Sequence, residues 1–172
     1  MSDPGFNFDQ KEAVFSTPWF RLMKIPHQDG RDFYALESED AVAALTRSID
    51  GRFLLVRQYR PAMATYTLEM PAGGVDLNET PAQAILREVA EETGYQAPEA
   101  VYLGQFFLDS SRLSKKVTLF FCDQAVQVGE PETGIELVLW TKEELEAQIV
   151  ENRFDEAVGI AAHFMAQAKG LY

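Results

Sequence analysis

Apolar and polar residues along this chain switch between two spacings, one that suits strands and one that suits helices. Residues 14–25 (VFSTPWFRLMKI) and 32–37 (DFYALE) read as a strand pair around the turn His27-Gln28-Asp29-Gly30. Residues 41–47 (AVAALTR) and 52–58 (RFLLVRQ) read as a second pair, around Ile49-Asp50-Gly51. A short strand, 66–70 (YTLEM), leads into Pro71-Ala72-Gly73-Gly74. Further strands are expected at 99–107, at 135–140, and at 116–127, where β-branched and aromatic residues concentrate. Helical spacing begins after Thr80, where Ala82, Ile85, Leu86 and Val89 form one apolar stripe. Thr80 offers an N-cap hydroxyl, Pro81 suits the first helical position, and Gln83 can complete a capping box. Gly94 suits the left-handed residue that ends such a helix. Thr141 with Glu144 opens a second helix running to about Val150, and a third runs from about Asp155 to Lys169, ending at Gly170. Together these elements predict an α+β fold: an α/β/α sandwich around a mixed β-sheet in residues 41–172, preceded by an N-terminal β-strand extension, residues 1–40.

The polar side of the first helix carries the chemistry. Glu88, Glu91 and Glu92 fall on one helical face, with Glu79 in the loop before it. Like charges at this spacing repel by roughly 0.2–0.5 kcal/mol per exposed pair, and by more where water is scarce. An acidic helix face is ordinarily only a solvated face. The alternative is a site for a hard divalent cation, Mg²⁺ above all, which takes oxygen ligands and bridges carboxylates to substrate phosphates.

Composition narrows the classes. A chain of 172 residues with 47% hydrophobic content suits one compact domain with a short appended element. The single cysteine, Cys122, sits in an apolar run and reads as a buried thiol; with two histidines it makes no convincing zinc set. The start MSDPGFNFDQ lacks the pattern of a secretory signal, and no apolar run approaches the ~20 residues of a membrane span. A cytoplasmic protein without membrane partners is therefore expected. The net charge of −12 argues against long nucleic acid as a partner, while a small phosphorylated substrate delivered with metal is compatible.

The spacing of Gly73, Glu79, Arg87, Glu88, Val89, Glu91, Glu92, Gly94 and Tyr95 resembles the signature of the Nudix hydrolases position by position, with Tyr95 where the signature prefers an aliphatic residue. The approach LLVRQYRPAMATYTLEMPAGGVD and the N-terminal strand pair resemble the ADP-ribose and nucleotide-sugar pyrophosphatase branch. The resemblance implies Mg²⁺-dependent hydrolysis (with Mn²⁺ as an alternative) of a nucleoside diphosphate linked to a sugar, giving a nucleoside monophosphate and a sugar phosphate. It implies Glu88 and Glu92 as main metal ligands, Glu91 as ligand or base, and the Ala72 carbonyl as a further ligand. It gives Gly73, Glu79, Arg87 and Gly94 structural parts. Arg60 sits where the branch places an arginine on substrate phosphate, a task suited to a guanidinium fork. Arg57 and Glu69 stand beside it, Trp19 and Tyr34 are candidates for stacking on a base, and Arg112 heads a basic loop that could grip phosphate. In the branch the N-terminal extension commonly exchanges between two subunits, which implies a homodimer. After the motif the branch often carries a Ser-Pro-Gly-like turn and a loop glutamate; here the stretch LDSSRLSKKVTLFF has neither proline nor glutamate. The general base is left open among Asp109, Glu130, Glu132, Glu136 and Glu91. Two other readings stand beside the first: a Nudix hydrolase of a GDP-sugar or dinucleotide, and a non-catalytic module that binds a nucleotide-sugar.

Overall fold

The computed structural model describes residues 5–172; residues 1–4 of the expected extension lie outside the described residues. The chain divides into two compact units. One takes in Met1–Asp40, as far as it is described, together with Phe106–Val117; the other takes in Ala41–Gln105 and Thr118–Tyr172.

In the first unit a 3₁₀ turn, Phe8–Gln10, precedes three antiparallel strands, β1 (Glu12–Ser16), β2 (Arg21–Ile25) and β3 (Phe33–Glu37), in the order β1-β2-β3. The continuous strand expected over 14–25 is broken. Pro18 has no N–H to give a ladder, and the Thr17 hydroxyl accepts from the N–H groups of Trp19 (3.2 Å) and Phe20 (3.0 Å), which turns the chain. The break leaves β1 as an edge strand with all five residues exposed. Residues 106–117 join this unit through backbone bonds: Leu36 N–H donates to the Arg112 carbonyl at 2.7 Å, and Ser114 N–H to the Leu36 carbonyl at 3.0 Å.

The second unit is built on a sheet of eight strands. These are β4 (Ala41–Ser48), β5 (Phe53–Arg60), β6 (Thr65–Glu69), β7 (Ala72–Gly74), β8 (Tyr95–Gln96), β9 (Val101–Phe107), β10 (Lys116–Gln127) and β11 (Glu136–Trp140). The path is β11-β5-β4-β10-β8, with β6 on β5, β7 on β4 and β9 on β10. Contacts between β4 and β10 advance together: Arg47 pairs with Asp123, and Ile49 N–H reaches the Ala125 carbonyl at 2.9 Å. That is a parallel alignment beside the antiparallel pairs β11-β5, β4-β5, β4-β7, β5-β6 and β10-β8, hence a mixed sheet.

Alternation along β4 and β10 sends side chains to two faces. Val42, Ala44, Phe120 and Cys122 pack with Ala84, Ile85 and Val89 of α1 (Pro81–Thr93). On the opposite face Phe53 and Phe121 meet Tyr172, whose hydroxyl lies 2.6 Å from His163 of α3 (Ala157–Ala168). The helix α2 (Lys142–Val150) packs on β11. The α/β/α expectation holds, and burying both sheet faces accounts for the fully apolar run Phe53–Val56. The strands β7 and β8 were not expected, and α3 begins at Ala157 with Glu156 as its N-cap rather than at Asp155.

Candidate active site

The first helix is fixed at both ends as its sequence demands. The Thr80 and Gln83 side chains close a reciprocal capping box, and Gly94 ends the helix at φ 72°. A Cβ at Gly94 would lie 2.5 Å from the Gly129 carbonyl, so segment 129–132 can cross the helix end, where Glu132 N–H bonds the Glu91 carbonyl at 2.9 Å.

The stripe Ala84, Ile85 and Val89 faces the core, which carries the glutamates along with it to graded depths. Glu91 is exposed, Glu88 half-buried, and Glu92 only 8% exposed. Glu92 Oε2 accepts from the Ala72 N–H at 2.9 Å. Burial outweighs that bond and pushes the Glu92 carboxyl up to about 7; burial likewise raises Glu88 against the pull of Arg87. Gly73 makes this arrangement possible, because a Cβ there would sit 2.0 Å from the Glu88 carboxyl carbon.

Arg87 neutralises the exposed side. Its guanidinium donates to Glu79 (2.8 Å), Glu88 (2.8 Å), Glu91 (3.1 Å) and the Gly74 carbonyl (3.3 Å). Glu79 also accepts from the Asp76 N–H at 2.7 Å, which folds the loop back on the helix; Arg87 first, and this amide second, hold its carboxyl below the ordinary range. Among the described residues, no three acidic, histidine or cysteine side chains converge as a ready-made cation group. The donors nevertheless have the right chemistry. Glu92 and Glu88 lie against Ala72 and Gly73, Glu91 shares their helix face, and all three offer only oxygen donors, the kind that Mg²⁺ or Mn²⁺ takes.

A second cluster adjoins the first, its Arg60 and Glu69 charges acting on Glu92. Arg60 forks onto Glu69 (Nε–Oε1 2.8 Å), and Thr67 Oγ1 donates to the same carboxylate. Burial works to raise Glu69, but the bonds from Arg60 and Thr67 win and hold it below its usual value. Glu156 reaches this place from α3: its Oε2 accepts from Gly159 N–H at 2.9 Å and Met70 N–H at 3.4 Å. Nothing in the sequence reading pointed to Glu156; the available signal was an acid three residues before Gly159 at a helix start.

The remaining expected residues are spread more widely. Arg57 points away from Arg60, as strand alternation requires, pairing with Glu136 at 2.7 Å and standing 4.5 Å over the Tyr66 ring. Trp19, Tyr34 and Arg112 all belong to the first unit. Trp19 and Tyr34 are exposed, at 78% and 45%. Arg112 stands 4.2 Å over the Phe33 ring, so the guanidinium expected to grip phosphate has an aromatic partner within its own unit. Of the base candidates, Asp109 is engaged with Ser111 and Glu136 with Arg57, whereas the segment bearing Glu130 and Glu132 crosses the end of α1.

The NUDIX domain pattern matches residues 37–163. The chain belongs to the NUDIX family. It is 51% identical over 115 residues to an ADP-sugar pyrophosphatase of Mus musculus, covering 58% of this chain and 53% of that protein. It is 29% identical over 185 residues to a GDP-mannose pyrophosphatase of Yersinia enterocolitica, covering 94% of this chain and 95% of that one. The chain spans about half to two thirds of the first curated relatives it matches. A solved structure of an ADP compounds hydrolase superposes with TM-score 0.81 at 20% identity over 99% of this chain and 98% of that one, a likeness of fold.

Two outcomes follow for this NUDIX site. Gly73→Ala forces the Glu88 carboxylate from its seat; titration calorimetry with Mn²⁺ should show affinity falling by about tenfold, roughly 1.4 kcal/mol, with a cooperative unfolding transition retained. Unchanged Mn²⁺ affinity would remove Glu88 from the site. The second concerns pH in the metal-free protein. Burial and the neighbouring Glu69 raise Glu156 from its ordinary 4.5 to about 7, against the Met70 and Gly159 amides and Arg60. The folded state therefore holds this proton more tightly, and its stabilising effect, complete below 4.5, is lost as pH rises through 7. Thermal unfolding of the metal-free wild type should lose Tm across that window relative to Glu156→Gln; parallel curves would refute the assignment.

Proposed function

We propose that this chain hydrolyses the diphosphate bond of a nucleoside diphosphate linked to a sugar, yielding a nucleoside monophosphate and a sugar phosphate, with a divalent cation as cofactor. One observation carries the reading: Glu88, Glu91 and Glu92 line one face of a doubly capped helix, against which the Ala72–Gly74 backbone is pressed. The cation, Mg²⁺ or Mn²⁺, would be held by Glu88, Glu91, Glu92 and the Ala72 carbonyl, and when bound would offset charge on the diphosphate oxygens and acidify a water.

The chain's own groups do the rest. Arg87 and Glu79 hold the loop before α1 against the helix, so that the acids keep their spacing. Arg60, partly buried and forked, is suited to grip a phosphate bidentately, with Glu69 holding it in place until substrate arrives. Glu91, the exposed member of the three, serves as ligand or as base for the attacking water. Trp19 and Tyr34 offer exposed rings for stacking.

ADP-ribose or another ADP-sugar is the favoured substrate class, supported by the 51% identity to the murine relative. A GDP-sugar is the second reading, because the Yersinia relative matches along nearly the whole chain. The net charge of −12 disfavours long nucleic acid. Among the described residues no helix is long and apolar enough to cross a membrane. The single cysteine, buried and free, suits a reducing cytoplasm, the compartment proposed here.

A panel of ADP-ribose, ADP-glucose, GDP-mannose and diadenosine polyphosphates, assayed for Mg²⁺-dependent release of nucleoside monophosphate, tests the reading. Glu92→Gln, which keeps an acceptor for the Ala72 amide, should cut turnover by about 10²-fold or more while preserving the unfolding transition. Near-full activity in that variant, or no turnover of any sugar nucleotide by the wild type, would defeat it. We further propose a homodimer built through the N-terminal unit, whose edge strand β1 and exposed Val14, Phe15 and Trp19 are costly to leave in water. Sedimentation should give about twice the 19.3 kDa chain mass; a 19.3 kDa species at micromolar concentration would exclude it.

A further inference from the structure

Two carboxylates from two different helices close on one short stretch of backbone. Glu92 of α1 takes the Ala72 N–H at 2.9 Å, and Glu156, the N-cap of α3, takes the Met70 N–H at 3.4 Å. Between them Pro71 offers only a carbonyl, which accepts from Ala44 N–H at 3.0 Å. The stretch Met70–Ala72 is thus held from α1, from α3 and from β4.

The placing of Glu156 is demanding. A Cβ at Gly159 would come within 2.6 Å of both the Glu156 carboxylate and the Phe154 ring, so the first turn of α3 accommodates this carboxylate only because residue 159 is glycine. An N-cap needs no long acid, since Ser, Thr, Asp or Asn does the job better. What the longer side chain adds is reach across to Met70, 86 residues away in sequence.

We infer that Glu156 is a positioning residue: it ties the first turn of α3 to Met70 and thereby fixes where the Ala72 carbonyl and the Glu92 carboxylate stand. The inference rests on the reading of α1 as the metal-binding helix, and it assigns α3, which bears none of the expected ligands, a part in the site. Arg60 reinforces the arrangement electrostatically. Already forked onto Glu69, it also favours the charged forms of Glu92 and Glu156, so one guanidinium links the three carboxylates around the stretch.

Glu156→Ala, Glu156→Gln and, as a control for general loss of stability, Ala162→Gly further along α3 test this. Gln keeps a side-chain oxygen able to accept from Met70 and Gly159. Mg²⁺ titration should give a dissociation constant raised about fivefold or more in Glu156→Ala, within about twofold of wild type in Glu156→Gln, and unchanged in Ala162→Gly. Hydrogen exchange gives a reading independent of metal: the Met70 and Ala72 amides should exchange faster in Glu156→Ala but not in Ala162→Gly. If wild type binds no Mg²⁺, the functional reading fails, and the exchange data alone decide the positioning. Wild-type exchange at Met70 and Ala72 in Glu156→Ala, or equal loss of Mg²⁺ affinity in the control, would overturn it.

Discussion

The backbone of β7 approaches α1 so closely that no side chain fits at Gly73, where a Cβ would stand 2.0 Å from the Glu88 carboxyl. The rest of the site depends on this contact. It takes the Glu88 and Glu92 carboxylates out of water and gives Glu92 a backbone donor at Ala72. A backbone can be pressed against carboxylates only if both partners are held elsewhere. The helix is held by its capping box, by Gly94 and by an apolar face buried on β4 and β10. The strand, three residues long, is held by its ladder to β4, with Ala41, Val42 and Ala43 opposite Gly74, Gly73 and Ala72.

How much of this was legible in the sequence follows from where each structure gets its stability. The first helix was, because its caps and stripe are local: Thr80, Pro81, Gln83 and Gly94 act on groups within a turn. The strand β10 was, since Val117, Thr118, Phe120, Phe121 and Val126 give it a β-branched and aromatic character that needs no partner to be recognised. The strand β7 was not. Ala-Gly-Gly has little strand preference, and it is a strand only because β4 runs beside it. The break at residues 17–20 was masked by the apolar residues around Pro18, which kept the strand pattern running through a turn made by one threonine hydroxyl. The grouping of Phe106–Val117 with the N-terminal residues is a fact of long-range pairing that no local pattern carries.

The site residues divide in the same way. Glu79, Arg87 and the three helical glutamates could be found because one helix and its preceding loop carry them all. Arg60 and Glu69 share one face of the β5–β6 hairpin, opposite Thr65 and Val56 respectively, so their pairing depends on the guanidinium reaching along that face. Glu156 could not be found by periodicity. Its place depends on α3 packing beside a segment 86 residues away, and Asp155 was the more obvious cap by residue preference.

The electrostatics of the cluster support the proposal of a divalent cation at this helix face. Six carboxyls, Glu69, Glu79, Glu88, Glu91, Glu92 and Glu156, are served by two guanidinium groups, Arg60 and Arg87. Toward the solvent the protein offsets the deficit with a guanidinium: Arg87 spreads its donors over Glu79, Glu88 and Glu91. Where water does not reach, burial favours the uncharged form and lifts Glu92 and Glu156 to about 7. Each response has a limit. A guanidinium is planar and cannot surround itself with carboxylates, and a proton gives each carboxyl one donor and removes its charge. A compact divalent ion can take several oxygens at once and compensate two charges in one place. The gain from such an ion is largest at the buried carboxylates, where charge is least screened by solvent. On the proposed reading, the depth of Glu92, which burial makes costly in the metal-free fold, is the property that would make this helix face a strong place to gather a cation and, with it, a diphosphate.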